Sequence, residues 1–139
     1  MPTLHDIVIL GGARTPQGKL LGQLASLSAM QLGAHAVSAA LERTGVAKNA
    51  VEHVYMGQVL QAGCGQNPAK QTAMAAGLPA HVPAVTVNKV CLSGLVSIID
   101  AARMIRLGEA SVVVAGGQES MSQAPHVAAV RVGHPYGNL

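Results

Sequence analysis

Cys91 is the residue whose type and position best suit covalent chemistry. It lies where a predicted strand, Val85 to Val90, meets the first turn of a helix predicted from Leu92 onward. Free N–H groups and the positive dipole end at a helix N-terminus favour a thiolate over a thiol, and the thiolate is the nucleophile. Gly94 would let a ligand approach the backbone there. A small buried hydrophobe is the equally good alternative from position alone, since that is the usual role of a free cysteine.

The other candidate residues carry weaker signals. Cys64 lies in a glycine turn and is predicted to be a non-catalytic small residue; a disulfide is not expected. Gly63, Cys64 and Gly65 resemble the start of a dinucleotide fingerprint, but Pro68 takes the place of its third glycine. The histidines lack metal-ligand spacing, so no metal site is predicted. They are His5, His35, His53, His81, His126 and His134.

Composition limits the classes of protein. The chain has 139 residues, of which 50% are hydrophobic and 11% charged, so it suits one domain of ordinary size and not a disordered segment. Two tyrosines are its only aromatic residues, and no run of like charge occurs; nucleic-acid binding is therefore not expected. No apolar stretch reaches ~18 residues, so no membrane span is expected. The N-terminus lacks signal-peptide character, which predicts a cytoplasmic protein.

Hydrophobic periodicity and turn residues predict the elements that must position Cys91. Strands are expected at Ile7 to Leu10, Val51 to Val59, Val85 to Val90 and Ser111 to Ala115. Helices are expected from Ser28 to Gly45, from Asn67 or Gln66 to Ala76 and from Leu92 to about Arg106. The order β-α-β-α-β-α-β predicts an α/β fold with a mostly parallel sheet and helices on both faces, ending in a loop.

Three local patterns make more detailed predictions. Ser28 and Gln31 have the spacing of a capping box. The run Val112 to Val114 suggests a strand buried on both faces. The third helix is expected to bury one apolar stripe. Its members are Leu92, Leu95, Val96, Ile99 and Ala102.

Four segments together resemble the thiolases, the acetyl-CoA acetyltransferase family. They are VNKVCLSGL at 87–95, VVVAGGQESMSQAPH at 112–126, ARTPQG at 13–18 and GQNPAKQ at 65–71. All four occur in the family's order with close spacing, and the resemblance covers essentially the whole chain. It extends over the N-terminal part of the family's sequence only. Leu92 departs from the small residue that many relatives have at that position.

The resemblance implies a function for this sequence. Thiolases interconvert two acyl-CoA molecules with a 3-oxoacyl-CoA and free CoA, and the cysteine matching Cys91 carries the acyl group as a thioester. Coenzyme A thioesters are then substrates, and no permanently bound cofactor is implied. In the family a C-terminal domain supplies an activating histidine, an asparagine-held water and a second cysteine. Those motifs are missing from this sequence, so the chain alone is predicted to be inactive in turnover.

The resemblance also implies an assembly and a domain division. Residues 1–120 are expected to form the N-terminal α/β domain, and residues 121–139 the start of a loop region. Subunits of the family pair through the strand matching Val85 to Val90, so a dimer or tetramer is expected. The tripeptide Gly133-His134-Pro135 spells the family's histidine motif but lies in a basic surface loop, and His134 is interpreted as non-catalytic.

Two alternative functions remain open. A 3-oxoacyl-carrier-protein synthase has the same architecture, but its nucleophile segment is usually of the Thr-Ala-Cys-Ser type, and the run from Asn88 to Cys91 favours a thiolase. A truncated, non-catalytic half that needs a partner chain is the second alternative. Such a half would expose an apolar face, which predicts self-association or binding to another chain.

Overall fold

The computed structural model describes residues 7–128, which form a three-stranded sheet with three helices. In chain order the elements are α1 (Ala29–Thr44), β1 (His53–Gly57), α2 (Pro68–Ala75), β2 (Ala84–Val87), α3 (Ser93–Arg106) and β3 (Val113–Gly117). Short 3-10 helices lie at Lys48–Ala50 and Met121–Gln123. The α/β class is confirmed, and each of these six elements overlaps a predicted one.

The sheet is parallel, with β1 between β2 and β3. Gly57 at the end of β1 is aligned with Val87 of β2 and with Gly117 of β3. The carboxyl ends of all three strands therefore meet at one edge of the sheet. In open α/β sheets this is the edge where ligands bind, and the segments that follow β1, β2 and β3 all start there.

The ends of α1 follow from its sequence. The capping box is present: the Ser28 hydroxyl accepts a hydrogen bond from the Gln31 N–H at 3.2 Å, and the Gln31 side chain accepts one from the Ser28 N–H at 2.9 Å. The helix ends at Gly45, whose φ of 68° lies in the left-handed region that glycine adopts without strain.

The hydrophobic core lies between the sheet and the pair α1 and α2. Val54 and Met56 alternate with His53, Tyr55 and Gly57 along β1, so the two sets face opposite sides of the sheet. The core cluster consists of Ala34, Val37, Leu41, Val51, Val54, Met56, Ala69, Ala73, Ala76, Leu78 and Val82. Its small alanines let the helices approach the sheet closely.

Helix α3 packs on the opposite face through small residues. Its buried positions are Ser93, Ser97 and Ala101. The prediction of one buried apolar stripe is wrong in detail, because Leu95 is 55% and Ile99 40% exposed. The reason is that glycines on β1 and β3 leave room for a close helix approach, which only small side chains on the helix allow.

Three strand predictions need correction. No strand forms at Ile7 to Leu10: the segment is irregular, Ile9 is 82% exposed, and the chain next passes the end of α1, where Arg43 donates to the Gly12 carbonyl. A strand needs a neighbour for its N–H and C=O groups, and residues 7–10 pair with none of the three strands of the described sheet. Strand β2 ends at Val87 and does not reach Val90.

The third correction concerns Val112 to Val114. These residues are only half-buried, because β3 is an outer strand of the described sheet. Residues 121–128, assigned to the loop region, contain the second 3-10 helix and otherwise no helix or strand. Among residues 7–128 no helix combines the length and hydropathy needed to cross a bilayer.

Candidate functional site

Cys91 lies in the turn that joins β2 to α3. Since β2 ends at Val87 and α3 begins at Ser93, five residues separate the two elements. Cys91 is exposed and its thiol is free, so the alternative of a buried cysteine is excluded. The thiol therefore belongs to the carboxyl edge of the sheet and to the N-terminal end of α3, as the sequence predicted.

The residue before the cysteine has an unusual backbone. Val90 has a φ of 51°, in the left-handed region. A β-branched residue is a rare occupant of that region, and such a conformation costs on the order of 1–3 kcal/mol. Cys91 is the residue that directly follows this left-handed conformation.

Two flanking side chains bind the peptide groups around Val90. The Asn88 side-chain oxygen accepts a hydrogen bond from the Val90 N–H at 3.1 Å. The Ser93 hydroxyl donates to the Val90 carbonyl at 2.6 Å and accepts from the Lys89 N–H at 2.8 Å. Ser93 is buried, with 4% of its surface exposed. Both polar groups of the strained residue thus have side-chain partners.

Close glycine contacts set the position of the helix that follows Cys91. A Cβ at Gly57 would overlap the Ser93 carbonyl carbon, and one at Gly117 would lie 3.2 Å from the Gly94 Cα. We call Gly57, Gly94 and Gly117 the glycine seam. It allows the first turn of α3 to lie directly against the ends of β1 and β3.

A second support comes from Glu119. Its two carboxylate oxygens accept hydrogen bonds from the Val59 N–H at 2.9 Å and the Leu60 N–H at 3.2 Å. The Val59 carbonyl in turn accepts a hydrogen bond from the Asn88 side-chain amide at 3.3 Å. The chain beyond β3 is therefore connected, through one peptide group, to the residue that binds Val90.

Sequence reasoning missed these supporting residues. The motif around Cys91 contained Asn88 and Ser93, but no role followed from their spacing, because their partners are backbone atoms whose positions depend on the left-handed turn. Glu119 lies in a segment that resembles the family, and its position there predicts no role. An acidic residue a few positions after a predicted strand was the available signal.

The other candidates lie apart from this turn or take part in other contacts. Cys64 has a free, half-buried thiol. It accepts a hydrogen bond from the Gln58 side-chain amide at 3.2 Å and lines a cavity of about 70 Å³ together with Ser28, Gln58 and Gln123. A wider cleft of about 560 Å³ lies between residues 14–20 and 119–122. Gly133, His134 and Pro135 lie outside the described residues.

Histidines in the described part of the chain form no metal centre. Within residues 7–128, no group of three or more His, Cys, Asp or Glu side chains is arranged to hold a metal ion. His53 is buried at the start of β1, its ring 4.5 Å from that of Tyr55, and its Nε2 has no hydrogen-bond partner among the described residues. Burial lowers the pKa of its imidazole.

Comparison with known proteins identifies the family to which this chain belongs. Residues 7–138 match the family model described as "Thiolase, N-terminal domain". The chain belongs to the thiolase family. The turn that carries Cys91 is therefore part of a thiolase N-terminal domain.

Individual thiolase relatives agree with the family match. An acetyl-CoA acetyltransferase of Cupriavidus necator is 59% identical over 89% of this chain, which corresponds to 32% of the relative. A probable acetyl-CoA acetyltransferase of Escherichia coli is 52% identical over 97% of this chain and 35% of its own length. A mitochondrial acetyl-CoA acetyltransferase of Rattus norvegicus is 48% identical over 99% of this chain and 32% of its own length. This chain thus spans about a third of the length of these relatives.

Proposed function

We propose that this thiolase chain provides the acyl-accepting nucleophile, Cys91, for acyl transfer between CoA thioesters. The thiolate of Cys91 adds to the thioester carbonyl of an acyl-CoA. The bond from the carbonyl carbon to the CoA sulfur then breaks, CoA leaves as a thiolate that takes up a proton, and the acyl group stays on the Cys91 sulfur. Splitting the transfer in this way replaces one difficult step by two easier ones.

The observation that carries the proposal is the exposed thiol of Cys91 in a strained turn at the carboxyl edge of a thiolase-family sheet. The conformation next to it costs free energy, and strain of this kind clusters at functional sites. A cysteine with only a packing role would be buried, which Cys91 is not.

The second half of the reaction requires further groups. A second acyl-CoA must lose a proton α to its thioester, and its carbanion then attacks the carbonyl carbon of the Cys91 thioester. The bond from that carbon to the Cys91 sulfur breaks, the Cys91 thiolate is regenerated, and the product is a 3-oxoacyl-CoA of the acetoacetyl-CoA type. We propose that the histidine, the asparagine-held water and the second cysteine implied by the resemblance come from a C-terminal domain of the whole protein.

Fatty acid metabolism in the cytoplasm is the proposed setting of this reaction. The rat relative is named as mitochondrial, so mitochondria are the alternative compartment.

Intact-mass spectrometry tests the first step. The purified chain is measured before and after incubation with acetyl-CoA. We expect one added acetyl group in the wild type and in Cys64→Ala, and none in Cys91→Ala. The Cys64 variant is the matched control because it removes the other free thiol of the chain.

The same measurement decides between acyl transfer and a non-catalytic half. An adduct in Cys91→Ala would contradict the proposed nucleophile. A wild-type chain that gains no acetyl group would exclude acylation by this chain alone, and the non-catalytic half would then be the better description.

We also propose a homo-oligomer formed through the segment Val85 to Val90. Strand β2 pairs with β1 alone in the described sheet, and Val85 is 43% exposed. An exposed strand edge readily pairs with another chain, and lysine is a residue that discourages such pairing. Sedimentation should show a dimer or larger assembly for the wild type and Val127→Lys, and smaller species for Val85→Lys; a monomeric wild type would contradict the proposal.

A further inference from the structure

The turn that carries Cys91 contains a backbone conformation that its own residue type opposes. Val90 has two branches at Cβ, and valine is not a residue that visits the left-handed region routinely. Such a conformation persists only where the surroundings hold it. The question is therefore which groups of this chain hold Val90 and, through it, Cys91.

Two side chains bind the peptide groups of Val90. Asn88 binds the N–H of Val90, and the buried Ser93 hydroxyl binds its carbonyl. Asn88 donates to the Val59 carbonyl, and the N–H of the same peptide group, that of Leu60, donates to Glu119. Ser93 is fixed by its contact with the glycine seam at Gly57.

We propose that Asn88 and Ser93 are positioning residues for Cys91. Neither needs to touch the substrate. Together they hold the left-handed turn at Val90, and the turn fixes the direction in which the thiol of Cys91 meets a thioester carbonyl. This inference rests on the proposed acyl transfer, and it adds the residues that orient the nucleophile.

The physical reason for expecting an effect on acyl transfer is geometric. Attack on a thioester carbonyl requires the sulfur at a defined distance and angle, and a displacement of about 1 Å can cost a hundredfold in rate. Alkylation by iodoacetamide uses the same sulfur, but the small reagent can approach an exposed thiol from many directions. A loose turn should therefore slow acetylation far more than alkylation.

The test compares these two reactions of Cys91 in the 139-residue chain. Acetylation by acetyl-CoA and alkylation by iodoacetamide are followed by intact mass in a Cys64→Ala background. For Asn88→Ala and Ser93→Ala we expect acetylation to fall by about tenfold to a hundredfold, with alkylation nearly unchanged. Asn88→Asp keeps the acceptor for the Val90 N–H but loses the donor to Val59, so its acetylation rate should lie between those of Asn88→Ala and the wild type.

Ser97→Ala is the matched control. Ser97 is another buried serine of α3, one turn further along, and its hydroxyl donates to the Ser93 carbonyl within the helix. It should acetylate like the wild type. Equal slowing of acetylation and alkylation in Asn88→Ala, or an unchanged acetylation rate, would overturn the proposal, and so would a loss as large in Ser97→Ala.

Amide hydrogen exchange separates this inference from the proposed function. If the wild type takes up no acetyl group, the proposed acylation fails, and the exchange rates of the Lys89 and Val90 amides decide the inference. Both amides should be protected in the wild type; Val90 should lose its protection in Asn88→Ala and Lys89 in Ser93→Ala, while β1 amides stay protected in both. Unprotected Lys89 and Val90 amides in the wild type would overturn the inference, and lost protection in β1 would identify a general failure to fold.

Discussion

The Thr72 hydroxyl donates a hydrogen bond of 2.6 Å to the side-chain carbonyl of Gln118, although 46 residues separate the two in the chain. The Gln118 side-chain amide in turn donates a hydrogen bond to the Gln58 side-chain oxygen at 2.9 Å. All three side chains are buried. This polar network joins α2 to the carboxyl ends of β1 and β3, beneath the edge that carries Cys91.

Removing the Thr72 hydroxyl should destabilise the fold. Thr72→Val keeps the shape of the side chain but leaves the Gln118 oxygen buried without its donor, which costs about 1–3 kcal/mol. The free energy of unfolding in urea measures the effect. Thr44→Val is the control, because the Thr44 hydroxyl binds only carbonyls of its own helix. Equal stability of Thr72→Val and the wild type would contradict the role of the network.

Adding a methyl group at Gly57 should displace α3. In Gly57→Ala the new Cβ would meet the backbone of Ser93 and Gly94, which no side-chain rotation relieves. Overpacking of this kind costs about 1–3 kcal/mol, and acetylation of Cys91 should slow with it. Gly12→Ala is the control, since nothing lies within 4 Å of a Cβ at that position. Urea unfolding and intact mass report the two effects; equal behaviour of the two variants would show that α3 tolerates the shift.

Acid should destabilise the chain partly through His53. Burial lowers the pKa of His53 below the 6.5 of an unfolded histidine. As the pH falls through 6.5 the unfolded chain therefore binds a proton that the folded chain does not, and the stability contributed by neutral His53 is lost. Above that pH both states are neutral and the effect vanishes.

The measurement for His53 is the free energy of unfolding between pH 7.5 and pH 5.5. The loss of stability over this interval should be smaller in His53→Gln than in the wild type, because glutamine does not titrate. His35→Gln, an exposed substitution on α1, should keep the wild-type slope. Parallel curves for His53→Gln and the wild type would show that His53 contributes nothing to the acid sensitivity.

Neutralising Glu119 should weaken the loop that supports Asn88. Glu119→Gln retains one acceptor but turns an amide donor toward the N–H of either Val59 or Leu60. Hydrogen bonds to charged groups are worth about 1.5–3 kcal/mol, so unfolding in urea should occur at lower concentration. Glu42→Gln is the control on the exposed side of α1. A Glu119→Gln chain as stable as this control would exclude the carboxylate as a support.

The sequence predicted most of the architecture around the nucleophile because local signals are strong there. Ser28 and Gln31 fixed the start of α1, and Pro68 and Gly45 marked helix ends. The prediction that Cys91 lies at a strand-to-helix junction is confirmed, since the strand before it and the helix after it both have clear hydrophobic periodicity. Its role as nucleophile stays a prediction until the acyl adduct is measured, and so do the domain division at residue 120 and the interpretation of His134.

Other features depend on tertiary contacts, which the hydrophobic periodicity of the sequence does not predict. Ile7 to Leu10 has strand composition, but pairing decides whether a strand forms. Leu95 and Ile99 have the spacing of a buried stripe, yet the small side chains of Ser93 and Ser97 face the sheet because Gly57 and Gly117 lie opposite. The left-handed turn at Val90 was invisible, since valine is among the residues least suited to it.

The glycine seam has a consequence at the level of the gene. Every single-base change that replaces a glycine codon by that of another amino acid introduces a side chain with a Cβ. At Gly57 that atom meets the backbone of Ser93, and at Gly117 it comes within 3.2 Å of the Gly94 Cα. Ordinary missense variants at these two positions are therefore expected to displace the first turn of α3, which directly follows the turn of Cys91, although they alter no residue of that turn.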